Sequence, residues 1–303
     1  MPDKGDPGST GKTVSIDYEG DVDDSTTFVN MSEFVDERNE QMYQSLLARH
    51  SSSIRAVRNA LAFHHTSMRH PTFGHRSGDI DESNLYRLSM GDDRIMLQNE
   101  VEHGRSIAIC LLVDESGSMM NDNRSGDARD VALILAEGMS RIAGLTVDVY
   151  GHSAEEYGYG HDGTIIREYR TPRNPKISSL TDVQPRSENH DGYAIQHVAN
   201  RFARDNGHAD RRLMFVISDG EPLGSGYHGD RAIQHVASVC HSVRHKLDVQ
   251  VYGIGVADAY RGSRGRAMYG EGNFVVLKDV TSAAPIIARF VRQVASAMKR
   301  KVA

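Results

Sequence analysis

Cysteine is scarce, with only Cys110 and Cys240 in a chain of 303 residues. Two thiols cannot build the disulfide framework of a small secreted domain, which points to a reducing compartment. No uninterrupted apolar run approaches the ~20 residues that a membrane span needs. The opening stretch MPDKGDPGSTGKT lacks the basic start and apolar centre of a secretory leader. A cytoplasmic chain that does not enter a membrane is expected. Positive charge is not in excess either: 35 Lys and Arg face 41 Asp and Glu, for a formal net charge of −6. With no strongly basic block to neutralise phosphates, nucleic acid is excluded as the main partner.

What is present is ordinary globular material, 39% hydrophobic and 25% charged, long enough for one large α/β domain or two modest ones. The charge is unevenly spread. Residues 1–40 carry eleven acidic and three basic side chains and only short apolar fragments, so they read as a flexible acidic tail. Within it, GSTGKT at 8–13 has Asp6 where a phosphate-binding loop needs glycine, and no strand precedes it. Residues 41–105 read as a helical extension and connecting segment. Met42, Leu46, Leu47, Ile54, Val57 and Leu61 recur at helical spacing, then Pro71 and Gly74 break the pattern before a short helix near Leu85. His64, His65, His70 and His75 lack the spacing of a zinc site and read as surface histidines.

Residues 106–303 form the main domain. Ile107–Val113 is an apolar run ended by Asp-Glu-Ser-Gly-Ser, the signature of a strand buried on both faces. Helix-patterned sequence follows over 128–142, then strands over 145–152 and 163–169 and a helix over 191–204. The apolar strand Leu213–Ile217 stops at Ser-Asp-Gly. A helix over 230–245, strands over 248–253 and 273–277 and a helix over 282–299 complete the chain. Strands alternating with helices of this length imply crossover units and a mainly parallel sheet flanked by helices.

Ligands of such sheets bind beyond the carboxyl ends of the strands. Asp114 and Asp219 both stand there, Ser116 and Ser118 follow Asp114, and SENHDGYAI brings Asp191 to the start of a helix. Carboxylate and hydroxyl oxygens suit Mg²⁺, with Mn²⁺ as a substitute, rather than zinc. Taken singly, Asp-x-Ser-x-Ser is equally an Asx turn with a helix cap, and Ser-Asp-Gly a common turn. Together the carboxylates would repel one another without a cation.

LLVDESGSM resembles the Asp-x-Ser-x-Ser motif of von Willebrand factor A (VWA) domains, whose metal-ion-dependent adhesion site crowns a Rossmann-like sheet, and FVISDGEP resembles that family's later Asp-bearing strand. More narrowly, FGHRSGDIDESNLYRLSMGDDRIM, the ENHDG segment and ISDGEP are similar to the C-terminal region of the CobT cobaltochelatase subunits. The resemblance implies a Rossmann-like VWA fold with a helical N-terminal extension. It also implies a metal set of Asp114, Ser116, Ser118, Asp191 and Asp219, with Asp191 where adhesion-type domains offer threonine. Glu115, where CobT sequences have asparagine, lies between ligands. The implied partners are an AAA+ ATPase of CobS/MoxR type and a large corrin-binding chelatase subunit, in a complex that inserts cobalt during cobalamin biosynthesis or in a related remodelling machine. Two alternatives stand beside this reading: a metal-dependent hydrolase with Asp191 or His152 as base, and a stand-alone adhesion module. Neither serine lies in Gly-x-Ser-x-Gly, and His241 and His245 lack the glutamate of a zinc protease.

Overall fold

The computed structural model describes residues 13–18, 25–62, 69–101, 106–157, 161–175, 177–220, 222–256 and 262–277, with 280, 285, 286 and 289 as isolated positions. The 8–12 part of GSTGKT, His64, His65 and most of the helix expected over 282–299 lie outside the described residues. The N-terminal elements are β1 (Thr26–Asn30), α1 (Glu37–Arg49), α2 (Ser51–Ala62), β2 (Arg69–His75), β3 (Asp79–Ile80) and β4 (Met96–Val101). Then come β5 (Ile107–Asp114), α3 (Arg124–Met139), β6 (Leu145–Tyr157), β7 (His161–Arg170), α4 (Asp191–Asp205) and β8 (Arg211–Ser218). A small hairpin, β9 (Leu223–Gly224) and β10 (Tyr227–His228), precedes α5 (Gly229–Lys246), β11 (Val249–Gly255), α6 (Gly262–Tyr269) and β12 (Phe274–Val276).

Seven strands form the central sheet in the order β1-β7-β6-β5-β8-β11-β12, parallel except at the β6–β7 hairpin. The chain leaves β5 toward β6 on one side and later returns to pair β8 on the other, so the reversal of direction lies between β5 and β8. Every residue of β5 is buried. Because side chains alternate across a strand, Ile107, Ile109, Leu111 and Val113 join the core under α2 and α3, whereas Ala108, Cys110 and Leu112 join the core under α4 and α5. That two-sided burial is why β5 reads as a continuous apolar run.

The helical extension is not peripheral. Helix α2 packs on α3 so closely that a Cβ at Gly138 would stand 2.5 Å from the Cβ of Val57. His50 Nε2 meets Asp130 Oδ2 at 2.8 Å, and the Tyr43 hydroxyl donates to Glu137 Oε1 at 2.8 Å, so two buried α3 carboxylates are satisfied from α1 and the residue that ends it. Residues 69–101 form a separate three-stranded antiparallel sheet, β2-β4-β3, with a 3-10 helix over Glu82–Met90 where the short helix near Leu85 is expected.

The acidic tail needs correction. Residues 26–30, inside the stretch read as flexible, form the edge strand β1, parallel to β7 with Thr26 opposite Thr164. Net charge obscured a short β-branched and aromatic run, Thr-Thr-Phe-Val, whose Phe28 and Val29 pack on the two cores. Residues 13–18 are also engaged, as an extended strap along α4. Asn200 Oδ1 accepts from Val14 N at 2.8 Å and its Nδ2 donates to Val14 O at 2.9 Å, while Gln196 Oε1 accepts from Ile16 N at 2.9 Å and the Tyr193 hydroxyl from Tyr18 N at 3.3 Å. Among the described residues no helix is long and apolar enough to cross a membrane.

Asp148 of β6 is buried beneath the end of α4, where Asn206 Nδ2 donates to its Oδ2 at 2.8 Å. Burial pushes its carboxyl up from 3.8 to about 7, against the opposing effect of that hydrogen bond. The folded state thus holds this proton more tightly than the unfolded chain, so stability present below pH ~4 is lost as pH rises through 7. Asp148→Asn should therefore be more stable than the native chain at pH 8 by about 1–3 kcal/mol, with the difference vanishing near pH 4. Urea unfolding at the two pH values measures this.

Candidate metal centre

The apolar run of β5 delivers Asp114 fully buried at the carboxyl edge of the sheet. Its Oδ1 accepts from Ser116 N at 2.8 Å, which is the Asx turn anticipated for Asp-x-Ser. Its Oδ2 accepts from Ser218 Oγ at 2.8 Å and Asn189 Nδ2 at 3.2 Å, so donors from β8 and from the loop before α4 converge on one carboxylate. The Ser116 and Ser118 hydroxyls lie 3.0 Å apart and bond to each other. Beyond them the chain turns through left-handed Asp122 (φ 51°) and Asn123 (φ 59°) into α3.

Asp219 follows β8 and is buried, its Oδ2 accepting from Arg124 NH1 at 2.9 Å. Asp191 is the first residue of α4, also buried, and its Oδ1 has no hydrogen-bond partner. His152 Nε2 lies 3.4 Å from that oxygen, beyond the usual 2.7–3.2 Å of such a bond. His152 stands opposite Asp114 in the β5–β6 register, and neither of its ring nitrogens is hydrogen-bonded.

These groups feel one another. Burial, with Asp219 adding to it, pushes the Asp114 carboxyl up to about 6. Burial raises Asp191 well above the usual carboxylate range, with Asp114 and then Asp219 contributing. Burial lowers the His152 imidazole to about 3, and Arg167 pushes the same way, so the ring is neutral at pH 7. The field therefore favours protons or a cation among the acids. The chemistry of the donor set fits a hard dication: buried carboxylates, that of Asp191 with an unbonded oxygen and that of Asp219 paired with Arg124, lie with two adjacent hydroxyls near the switch point. Among the described residues, no three His, Cys, Asp or Glu side chains converge to hold a metal by themselves. An ion would therefore depend on the serine hydroxyls and on water for part of its shell. Asp114, Ser116, Ser118, Asp191 and Asp219 would be the residues to hold it.

Sequence reasoning missed Asn189 and Ser218, both of which bond Asp114. It also missed the role of Glu115. Glu115, which lies between the candidate ligands in sequence, is buried, with Arg167 NH1 at 3.0 Å and Arg186 Nε at 3.1 Å on its Oε2 and the Tyr169 hydroxyl on its Oε1. Gly151 makes room: a Cβ there would stand 2.5 Å from Glu115 Oε1. The backbone repeats the tie, because Arg186 N donates to Glu115 O at 2.7 Å and Gly117 N to Ser187 O at 2.5 Å. A lone glutamate beside a metal motif carries no sequence signal for partners 52 and 71 residues away. Elsewhere Cys110 and Cys240 are buried, and His241 and His245 are neighbours on the exposed face of α5.

Over one part of the chain, a family comparison agrees with the CobT resemblance read from the sequence. Residues 168–270 match the family model described as the cobalamin biosynthesis protein CobT VWA domain, a span that includes Asp191 and Asp219 but begins after the Asp114 loop. No curated protein matches the chain. Among solved structures, it is similar to the D319A mutant of the PilB minor pilin from Streptococcus sanguinis at 14% identity and TM-score 0.48, covering 66% of this chain and 64% of that one. It is also similar to a von Willebrand factor type A protein from Catenulispora acidiphila (12% identity, TM-score 0.41, 62% and 42% of the two chains). A third is the SpRpn10 VWA domain (12%, TM-score 0.41, 59% and 93%). The chain thus spans less than two thirds of the length of the first two.

Removing one partner of a buried ionic cluster leaves the others uncompensated. Glu115→Ala should cost about 3–5 kcal/mol in urea unfolding, because Arg167 and Arg186 lose their buried carboxylate and keep only the more exposed Glu155 and Asp182.

Proposed function

We propose that this chain is a non-catalytic, Mg²⁺-dependent interaction subunit of CobT type, with Mn²⁺ able to replace Mg²⁺. The observation that supports the reading is that the buried carboxylates of Asp114 and Asp219 and the paired hydroxyls of Ser116 and Ser118 stand beyond the carboxyl ends of the strands, with buried Asp191 opening α4. When bound there, a dication would offer a Lewis-acidic position to an acidic side chain of a partner. The chain's own residues do the rest. Ser218, Asn189 and the Ser116 amide fix the Asp114 carboxylate, and Arg124 holds Asp219. Met120 (71% exposed), in the 3-10 turn that contains Ser118, and Leu223 (59% exposed), which opens β9 after Asp219, supply apolar contact around the acidic centre. Exposed Tyr86, Leu88 and Met90 on the 3-10 helix offer a further surface.

The CobT family match supports a place in a cobaltochelatase-like complex for cobalamin biosynthesis. Its partners in that reading are an AAA+ ATPase of CobS/MoxR type and a large corrin-binding subunit, with ATP hydrolysis belonging to the ATPase. The hydrolase alternative finds less support. The two serine hydroxyls bond each other, and neither ring nitrogen of His152 is hydrogen-bonded to a serine.

Pull-down of the cognate AAA+ ATPase in Mg²⁺ should fall at least about tenfold on chelation by EDTA. Asp114→Ala should show the chelated level in both buffers. Capture by the variant equal to that of the native chain in Mg²⁺ would remove the metal from the docking role.

A further inference from the structure

Helices α1 and α2 meet the C-terminal end of α3 at a surface cleft of about 210 Å³. Ser51, Arg55 and Arg58 line it from α2, spaced four and three residues apart as neighbours on one helix face are. Arg141, just past α3, and Glu137 of α3 also line it. The acids of this region are already engaged. Asp130 takes His50 Nε2 at 2.8 Å and Arg129 NH2 at 2.8 Å, and Glu137 Oε1 takes the Tyr43 hydroxyl at 2.8 Å. The arginines are not: among the described residues, no ion pair or side-chain hydrogen bond engages Arg55, Arg58 or Arg141. Arg55 and Arg141 are exposed, so water solvates them. Arg58 Nε is buried and still has no partner. A permanent cation with a buried, unmet donor is a costly arrangement, and an acceptor in the cleft would relieve it.

We infer that this cleft binds the phosphoryl group of a small phosphorylated molecule through Arg55, Arg58 and Arg141. Three guanidinium groups against one carboxylate leave the cleft positive in a chain whose net charge is −6. Guanidinium is a planar fork of N–H donors that matches two oxygens of a phosphate, and Nε–H is one arm of that fork. A tetrahedral dianion offers acceptors to three such forks, whereas a carboxylate has two oxygens and half the charge. The first turn of α2, Ser51-Ser52-Ser53, contains no acid, so the positive end of that helix adds to the same field. A second cleft of about 440 Å³ shares Glu137 and Arg141 with the first and adds Arg170, Tyr43 and Ile177. The organic remainder of the ligand has room there. The site is independent of the proposed cation. Arg124, which holds Asp219, opens α3, and the cleft stands at the other end of that helix, about 22 Å along it.

The test is calorimetric titration of the full chain with sodium phosphate, pyrophosphate and acetate, in a buffer with EDTA so that no cation at the rim of the sheet carries the anion. Phosphate should bind saturably and at least about tenfold more tightly than acetate, and pyrophosphate more tightly still. Arg58→Gln and Arg141→Gln should each weaken phosphate binding by at least about tenfold, since each removes a charge-assisted pair. Arg58→Lys keeps the charge but loses the fork, and should lose at least about threefold, which a purely electrostatic role would not produce. Arg94→Gln, at an exposed arginine that pairs with Asp92 outside the cleft, should stay within about twofold of the native chain. Phosphate should raise the melting temperature of the native chain and leave that of Arg141→Gln unmoved. Because Arg141 is exposed, its replacement keeps the test valid should Arg58 variants fold poorly. The absence of saturable phosphate binding, or equal affinity in the native and Arg141→Gln chains, overturns the site. Acetate bound as tightly as phosphate overturns the phosphoryl assignment.

Discussion

Mutual repulsion among buried acids is the constraint around which this molecule is arranged. A parallel sheet sends the ends of its strands to one rim, and here the rim receives Asp114 from β5 and Asp219 from β8, while the first turn of α4 adds Asp191. Each lies out of water, where like charges are costly. The surroundings are legible as responses to that cost. Arg124 approaches Asp219, three separate donors surround Asp114, and α4 turns its N-terminus toward Asp191. The proposed cation would answer what remains of the imbalance.

A second ionic assembly, one residue along the chain, holds that arrangement in place. Glu115 ties the loop after β5 to β7 through Arg167 and Tyr169, and to the segment before α4 through Arg186. Asp114 and Asp191 therefore sit on pieces of chain clamped by a common carboxylate. Such buried ion clusters add little net stability over an apolar core, but they specify which loops lie together. In this chain that specification serves the neighbouring site.

Much of the framework could be read in advance because burial on both faces leaves an unmistakable apolar run, as in Ile107–Val113 and Leu213–Ile217. Asp114 and Asp219 were legible for the same reason: each ends such a run. Asn189, Ser218 and His152 were harder to place, since an asparagine, a serine and a histidine near strand or helix ends have many ordinary explanations. Only the sheet register sets His152 opposite Asp114. The edge strand β1 escaped notice because one-sided pairing at a sheet margin needs only a few apolar side chains, and the surrounding acidity outweighed them. Glu115 was illegible because its partners come from distant loops.

The strap of residues 13–18 carries a consequence of its own. Asn200, Gln196 and Tyr193 meet its amides and carbonyl rather than its side chains, with Val14 alone fully inserted. Helix α4 consequently grips a stretch of polypeptide by its main chain, much as a rail holds any carriage of the right gauge. Ser15 and Asp17, turned outward, are free to vary in chemistry without loosening that grip, whereas a proline at 14 or 16 would remove a rung of it.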